Sequence, residues 1–591
     1  MITQQLFLLF LFFINPTSTL ATMLSNLEQF AVDAVAKYAD SHIEIAMEFS
    51  SKACPAFVAQ DSDRLVKVGR SLENLVFLSK KEGDKIPLEA SLEQLVEECT
   101  LLCSGDVKVP KVRFGKTGLQ MPIFTLGCMR FQQEWGPGVK NMNMVDSDCQ
   151  DNLVRILKRA ICDFGMNHIE TARVYGSSEL QLGAALKQLF DSGVVKREDL
   201  IIQTKVGAFA TAKEFRETLE TSFRLLQLDY VDLFGIHGVN MEHQYDWIFN
   251  NGENGNCIDV IKEYMAAGKI RHLGFSTHGP EDLIRRMIET DVFEYTNLHY
   301  HYFGSYTTSG VGPHQGNKGN VELLNAKDMG VFVISAFDKG GKIYQPSNKL
   351  RTLTLPEMEP MAFGTSWLWT HDKHSGTAIH TAVCGAARPS DLDQGAVAAF
   401  LLARDPEARY AKVQAITARL EQAKVDTLGK EWLETCYQGV PKSNVSKFSV
   451  EHNQIIWCYN MIKAFGLLAF AKDRYGTLEN TRKQWDKSLS ADANIDKIGR
   501  GGWGYCPGLS FDPEEDYLED FAAVPEANKE KVKEAEAFVH KWCAKPKLAE
   551  KKPEGADSGA KMEEELVPPV DWETAHFMKT WIDFPDRPKK S

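Results

Sequence analysis

In the first hundred residues, apolar positions recur at i, i+3, i+4 and i+7. "LEQFAVDAVAKYADSHIEIAMEF" and "LEASLEQLVEECTLLC" both carry that spacing, which gathers apolar side chains on one helix face. Residues 23–108 are therefore expected to form a helical region. "KVRFGKTGLQMP" follows as two short strands around the turn "GKTG", a hairpin. Beyond it, as far as residue 404, short apolar runs alternate with helical periodicity. The runs are "IFTLG" (123–127), "MNHIE" (166–170), "LIIQTK" (200–205), "VDLFGIH" (231–237), "RHLGFS" (271–276), "YTNLHY" (295–300), "GVFVISAF" (330–337) and "TAVCGAA" (381–387). Segments such as "DNLVRILKRAICDFG" and "AKEFRETLETSFRLLQL" lie between them. Eight buried strands alternating with helices predict a (β/α)8 TIM barrel over residues 109–404, with a doubly wound open sheet as the alternative.

Residues 405–545 read as helical, and "NQIIWCYNMIKAFGLLAFAKDRYG" is apolar nearly all round, so it is expected as a buried helix. The stretch 546–591 is charged and rich in Pro and Gly, the composition of a disordered tail. At the other end, Leu6–Ile14 is too short to cross a bilayer and suits a signal-peptide core, with Thr19 and Ala21 as a small-x-small cleavage site. Residues 1–22 are thus expected to be a targeting peptide for the secretory route, with a cytoplasmic location as the alternative. "NVS" at Asn444 is compatible with that route.

Composition narrows the function. The 591 residues are 43% hydrophobic, enough for a large core, and beyond residue 23 no segment reads as membrane-spanning. With a net charge of -13 and no basic face, nucleic acid is not an expected partner. The twelve cysteines contain no C-x-x-C, so neither a metal nor a disulfide framework is expected. "GRGGWG" (499–504) fits G-x-G-x-x-G literally, but no strand precedes it and no helix follows, so it reads as a glycine-rich turn.

In a barrel the C-terminal strand ends carry the chemistry. Glu170, Lys205 and His237 close three consecutive runs, and Tyr175 lies in the loop after Glu170. A phenol is too weak an acid for efficient proton transfer at neutral pH unless a nearby cation favours the phenolate. Lys205 can supply that cation, Glu170 can hold Lys205, and the His237 N–H can bind a carbonyl oxygen. The set suits protonation of an alkoxide as hydride reaches carbon. Met129, Phe131, Trp135 and Tyr302 are candidate walls of the substrate pocket, and the loop "GSYTTSGVGPHQGNKGN" is either its cover or a surface excursion.

Residues 110–404 resemble the aldo-keto reductase superfamily. The resemblance lies in "FGKTGLQMPIFTLGCMRF", "IETARVYGSSELQLGAALK", "IIQTKVG", "LDYVDLFGIHGVN", "AAGKIRHLGFSTHG", "VISAFDKGGKIYQPS" and "VCGAARPSDLDQ", in family order. "MRF", "HGVN" and "FDKGGK" are closest to its bacterial-type branch of predicted oxidoreductases, which has a helical C-terminal extension. The resemblance implies a catalytic tetrad of Glu170, Tyr175, Lys205 and His237, with Glu170 standing where the family has aspartate. It implies NADP(H) as cofactor, held by Gly127, Met129, Ser276, Asn297, Ser335, Phe337, Lys339, Gly340 and Arg388. Arg388 would meet the 2′-phosphate, although Asp391 beside it replaces the usual Arg or Gln. Asn297 stands for glutamine, Thr277 for asparagine and Ile334 for a stacking aromatic. The implied activity is NADPH-dependent reduction of a small aldehyde or ketone. The alternative is a catalytically weak NADP-binding interaction protein on the same barrel.

Overall fold

The computed structural model describes residues 16–38, 42–53, 62–82, 88–135, 138–250, 252–304, 317–336, 347–443, 445–501 and 508–544. The chain divides into two units, Met1–Val107 with Arg351–Glu359, and Lys108–Leu350 with Pro360–Ser591.

The first unit contains the helices Pro16–Lys37, His42–Ala53, Ser62–Glu82 and Leu88–Ser104. Their apolar faces close on one core that includes Leu27, Ala31, Ile45, Phe49, Leu72, Leu75 and Leu92, joined by Leu355. The first helix runs unbroken past residue 22; the rest of the expected targeting peptide, residues 1–15, lies outside the described residues. No helix among the described residues is long and apolar enough to cross a membrane.

The second unit opens with the antiparallel hairpin β1 (Lys111–Arg113) and β2 (Gln120–Pro122). Eight parallel strands follow: β3 (Phe124–Gly127), β4 (His168–Glu170), β5 (Ile201–Gly207), β6 (Val231–His237), β7 (Ile270–Ser276), β8 (Tyr295–His299), β9 (Gly330–Ile334) and β10 (Thr381–Gly385). They form a closed barrel in which β10 pairs with both β9 and β3, so the open-sheet alternative is excluded. Each apolar run yields one strand, because a strand covered on both faces has no polar side to alternate with. At the floor, Ile201, Leu233, Tyr295 and Phe332 pack with Phe114 and Met121 of the hairpin, which plugs the barrel. Each such side chain contributes about 1.5–3 kcal/mol on full burial.

The third run extends further than its sequence pattern indicated. β5 continues to Gly207, so Lys205 precedes the strand end by two residues. The apolar stretch read as one buried helix is two, His452–Phe465 and Leu468–Gln484, broken at Gly466, whose φ is +70°. That left-handed conformation is one a glycine adopts without strain and a helix cannot continue through. These helices grip the barrel: Trp457 Nε1 donates to the Phe303 carbonyl at 2.9 Å. Residues 499–501 of the glycine-rich stretch end the helix Ala491–Gly501, and 502–504 lie outside the described residues. So do Asn444, residues 305–316 of the long loop and the tail from 545 onward.

Candidate active site

Glu170 ends β4, and its carbonyl accepts the Cys128 N–H at 2.7 Å, which fixes the end of β3 beside it. The Lys205 ammonium contacts the Glu170 carboxylate and donates to the Thr171 carbonyl at 2.8 Å. Both side chains are buried. A charged pair withdrawn from water persists only when each partner is compensated, and here the longer glutamate reaches the ammonium directly. The Lys205 Nζ lies 5.1 Å from the centre of the Tyr175 ring. The Tyr175 and His237 rings meet edge to face, 5.6 Å apart at 87°. All four residues singled out in the sequence therefore share one end of the barrel.

The loop between β4 and the helix Ser178–Asp191 holds Tyr175 there. Gly176 turns it with φ +54°, and a Cβ at that position would lie 1.9 Å from the Glu134 carbonyl oxygen. Only glycine permits both the left-handed turn and the close approach. The Ser177 N–H donates to the same carbonyl at 3.0 Å, and Trp135 sets its ring 6.4 Å from that of Tyr175.

The electrostatics differ from the sequence expectation in one respect. Burial pushes the Tyr175 phenol above its ordinary pKa, and the charge opposing this is the Arg130 guanidinium. Burial also pushes the Lys205 ammonium well down. Lys205, expected to lower that pKa, is itself engaged by Glu170 and Thr171. Below the pair, burial and the Lys205 charge lower His168 to about 3, a neutral ring 2.5 Å from Thr125 Oγ1.

Of the candidate cofactor residues, Gly127 pairs with Glu170. A Cβ on Gly127 would lie 2.7 Å from Val383 Cγ2, so its lack of a side chain leaves room for Val383 on the neighbouring strand β10. Met129 is partly exposed. The Ser276 hydroxyl accepts the Gly238 N–H at 2.9 Å and so anchors the loop after His237. Asn297 Oδ1 accepts from Gln203 Nε2 at 3.3 Å, while its Nδ2 is buried with no hydrogen-bond partner among the described residues. Ser335 follows β9 with φ +53°, a strained conformation for a non-glycine residue. Arg388 is buried. Asp391 is no intruder beside it: its Oδ2 accepts the N–H groups of Ala387 and Arg388 at 2.9 and 3.0 Å and caps their turn. Ile334 packs toward the floor cluster. Phe337, Asp338, Lys339 and Gly340 lie outside the described residues.

Among the expected pocket walls, Trp135 faces Tyr175 and Phe131 is fully buried. Tyr302 is engaged elsewhere: it donates to Glu421 at 2.5 Å and packs on Phe363 and Trp367. Three residues that the sequence reading passed over belong to the site. Gln203 lies two residues before Lys205, hence on the same face of β5, a period-two signal. Arg130 sits in the quoted "MRF", just past β3. Glu179 sits in "YGSSE", at the start of the helix beyond Tyr175.

Residues 124–349 match the model of the Aldo/keto reductase family. Aldo-keto reductase family 4 member C11 of Arabidopsis thaliana is 31% identical over 164 residues, which cover 26% of this chain and 51% of the relative. Dihydrodiol dehydrogenase 3 of Bos taurus is 33% identical over 128 residues, 21% of this chain and 39% of that protein. The chain thus spans about half or less of the length of these curated relatives. Among solved structures, an aldo-keto reductase from Klebsiella pneumoniae in complex with NADPH covers 49% of this chain and 89% of its own, at 19% identity and a TM-score of 0.36. The closed eight-stranded barrel and the family match over residues 124–349 agree: this part of the chain is similar to the aldo-keto reductases.

Proposed function

We propose that the barrel reduces an aldehyde or ketone to an alcohol, with NADPH as the hydride donor. The observation that carries this reading is the convergence of Glu170, Lys205, Tyr175 and His237 at one barrel end. The residues present also fit a nicotinamide. The buried, unpartnered Asn297 Nδ2 is a donor suited to a carboxamide oxygen, and its Oδ1 is already held by Gln203. Ser276 and Gly127 would support that end, and the Arg388 guanidinium would take the 2′-phosphate, which it suits through bidentate hydrogen bonds.

When bound, the dinucleotide supplies the hydride. Tyr175 carries the proton on its phenol oxygen and passes it to the substrate oxygen. Burial keeps that phenol protonated at neutral pH, and Arg130 limits how firmly it is held. Lys205 fixes the charge behind Tyr175, and Glu170 holds Lys205. His237, edge-on to Tyr175, directs the carbonyl oxygen toward the phenol. General acid catalysis of this kind contributes about 10²–10⁴-fold in rate.

Two measurements test the proposal. Titration of NADPH and NADH against wild type and Arg388→Met is expected to show tighter NADPH binding that the substitution selectively removes. Nicotinamide oxidation with a panel of simple aldehydes is expected to show turnover. Absence of nucleotide binding would overturn the proposal, and binding without turnover on any carbonyl would favour the non-catalytic alternative.

A further inference from the structure

We infer that Glu179 is a positioning residue for the reaction, holding the Tyr175 loop in register with the strand that carries Lys205. The inference rests on the reductase reading above. Glu179 is the second residue of the helix Ser178–Asp191, and its side chain is fully buried. Its two carboxylate oxygens go to different elements. Oε2 accepts from the Arg173 guanidinium at 2.6 Å, and Oε1 accepts from the Thr204 hydroxyl at 2.7 Å. Arg173 lies in the loop two residues before Tyr175, and Thr204 immediately precedes Lys205 in β5. The Arg173 N–H closes the link by donating to the Lys205 carbonyl at 2.9 Å.

The neighbouring contacts act on other elements. The Ser178 hydroxyl pairs with Thr171 Oγ1 at 2.8 Å and donates to the Cys128 carbonyl at 2.7 Å, which ties the helix start to the ends of β3 and β4. The Lys205 ammonium holds the start of the loop at Thr171, whereas Glu179 joins β5 to the part of the loop beside Tyr175. A buried carboxylate is tolerated when both oxygens are satisfied, and a charge-assisted bond to a guanidinium is among the stronger ones. A glutamine can still donate its NH2 to the threonine hydroxyl, which also accepts, but it removes the charge from the guanidinium bond, so the Arg173 side of the link is weakened. The loop that carries Tyr175 would then be held less firmly against the strand that carries Lys205. A misplacement of about 1 Å can cost about 10²-fold in rate.

The test compares wild type, Glu179→Gln, Thr204→Val and Thr204→Ser in the full chain. For each, kcat, KM, the NADPH dissociation constant and hydrogen exchange across residues 171–178 are measured. Glu179→Gln is expected to lower kcat by about 10–100-fold while NADPH affinity stays within about 2-fold, with faster exchange confined to 171–178. Thr204→Val is expected to give a smaller loss of the same kind, and Thr204→Ser, which keeps the hydroxyl, to match wild type. Unchanged kcat and exchange in Glu179→Gln would overturn the inference, as would a uniform fall in kcat, cofactor affinity and melting temperature. If Glu179→Gln does not fold, the Thr204 pair decides by the same criteria. If wild type turns over no carbonyl, the reductase reading fails, and exchange alone decides the clamp: faster exchange limited to 171–178 supports it, and unchanged exchange refutes it.

Discussion

Glu170→Gln removes the negative half of a buried ion pair while keeping its shape. The Glu170 and Lys205 side chains are only 4% and 1% exposed, so water cannot take over the lost partner. Breaking such a pair from one side costs about 3–5 kcal/mol, because the remaining charge stays buried. At roughly 2–4 °C per kcal/mol for a domain of this class, the barrel transition should fall by about 6–20 °C. The assay is thermal unfolding across a pH series, with Lys205→Met and the double variant alongside. The double variant should recover about 1–3 kcal/mol relative to the sum of the single losses, since neither charge is then stranded. The pH dependence has a definite sign. Burial lowers the folded-state pKa of Lys205 below its ordinary 10.5, and removing a neighbouring negative charge lowers an ammonium's pKa further. Between the folded and unfolded values the unfolded chain binds more protons, so the variant gains stability as pH rises through that window. Wild-type Lys205 is also lowered, so the deficit should shrink as pH rises from the variant's folded-state value to that of wild type, both below 10.5, and stay level above it. A deficit under about 1 kcal/mol, flat with pH, would refute a buried charged pair at this position.

Two further outcomes follow from the electrostatics. Arg130→Met removes the cation that opposes the burial-driven rise of the Tyr175 pKa. The rate of alcohol oxidation, in which the phenolate takes the proton, should then reach its plateau at higher pH than in wild type; an unmoved pH profile would contradict the assignment. In the C-terminal helices, burial alone would lower His452, but hydrogen bonds to Asp520 and Glu536 raise it to about 9. A histidine raised in the folded state contributes fully below its unfolded value near 6.5 and loses that contribution as pH rises through about 9. The stability advantage of wild type over His452→Gln, on the order of 2–3 kcal/mol, should therefore narrow across that window in thermal unfolding.

What the chain discloses before folding, and what it conceals, divides by distance. The strands were readable because a run buried on both faces is apolar throughout, and Glu170 and His237 were readable because they end such runs. Tyr175 was readable because Gly176 must follow it where the loop turns. The residues that escaped notice depend on partners far away or on side-chain direction. Tyr302 was expected at the pocket, yet its partner Glu421 lies 119 residues later. Asp391 looked misplaced beside Arg388 until its role as a turn cap was visible. Arg130 and Glu179 were in the quoted motifs, but the first acts on a phenol in a different loop and the second on a threonine in a different strand. Gly466 sits within an apolar stretch whose pattern continues across it, so the break there is set by the backbone, not by hydrophobic period.

The central claim is that Tyr175 delivers the proton, and a single-turnover experiment tests it most directly. NADPH is bound to wild type and to Tyr175→Phe, an aldehyde that wild type turns over is added, and the loss of nicotinamide absorbance is followed. The variant is expected to bind NADPH as tightly as wild type and to oxidise it at least about 10²-fold more slowly. Equal rates in the two proteins would contradict it.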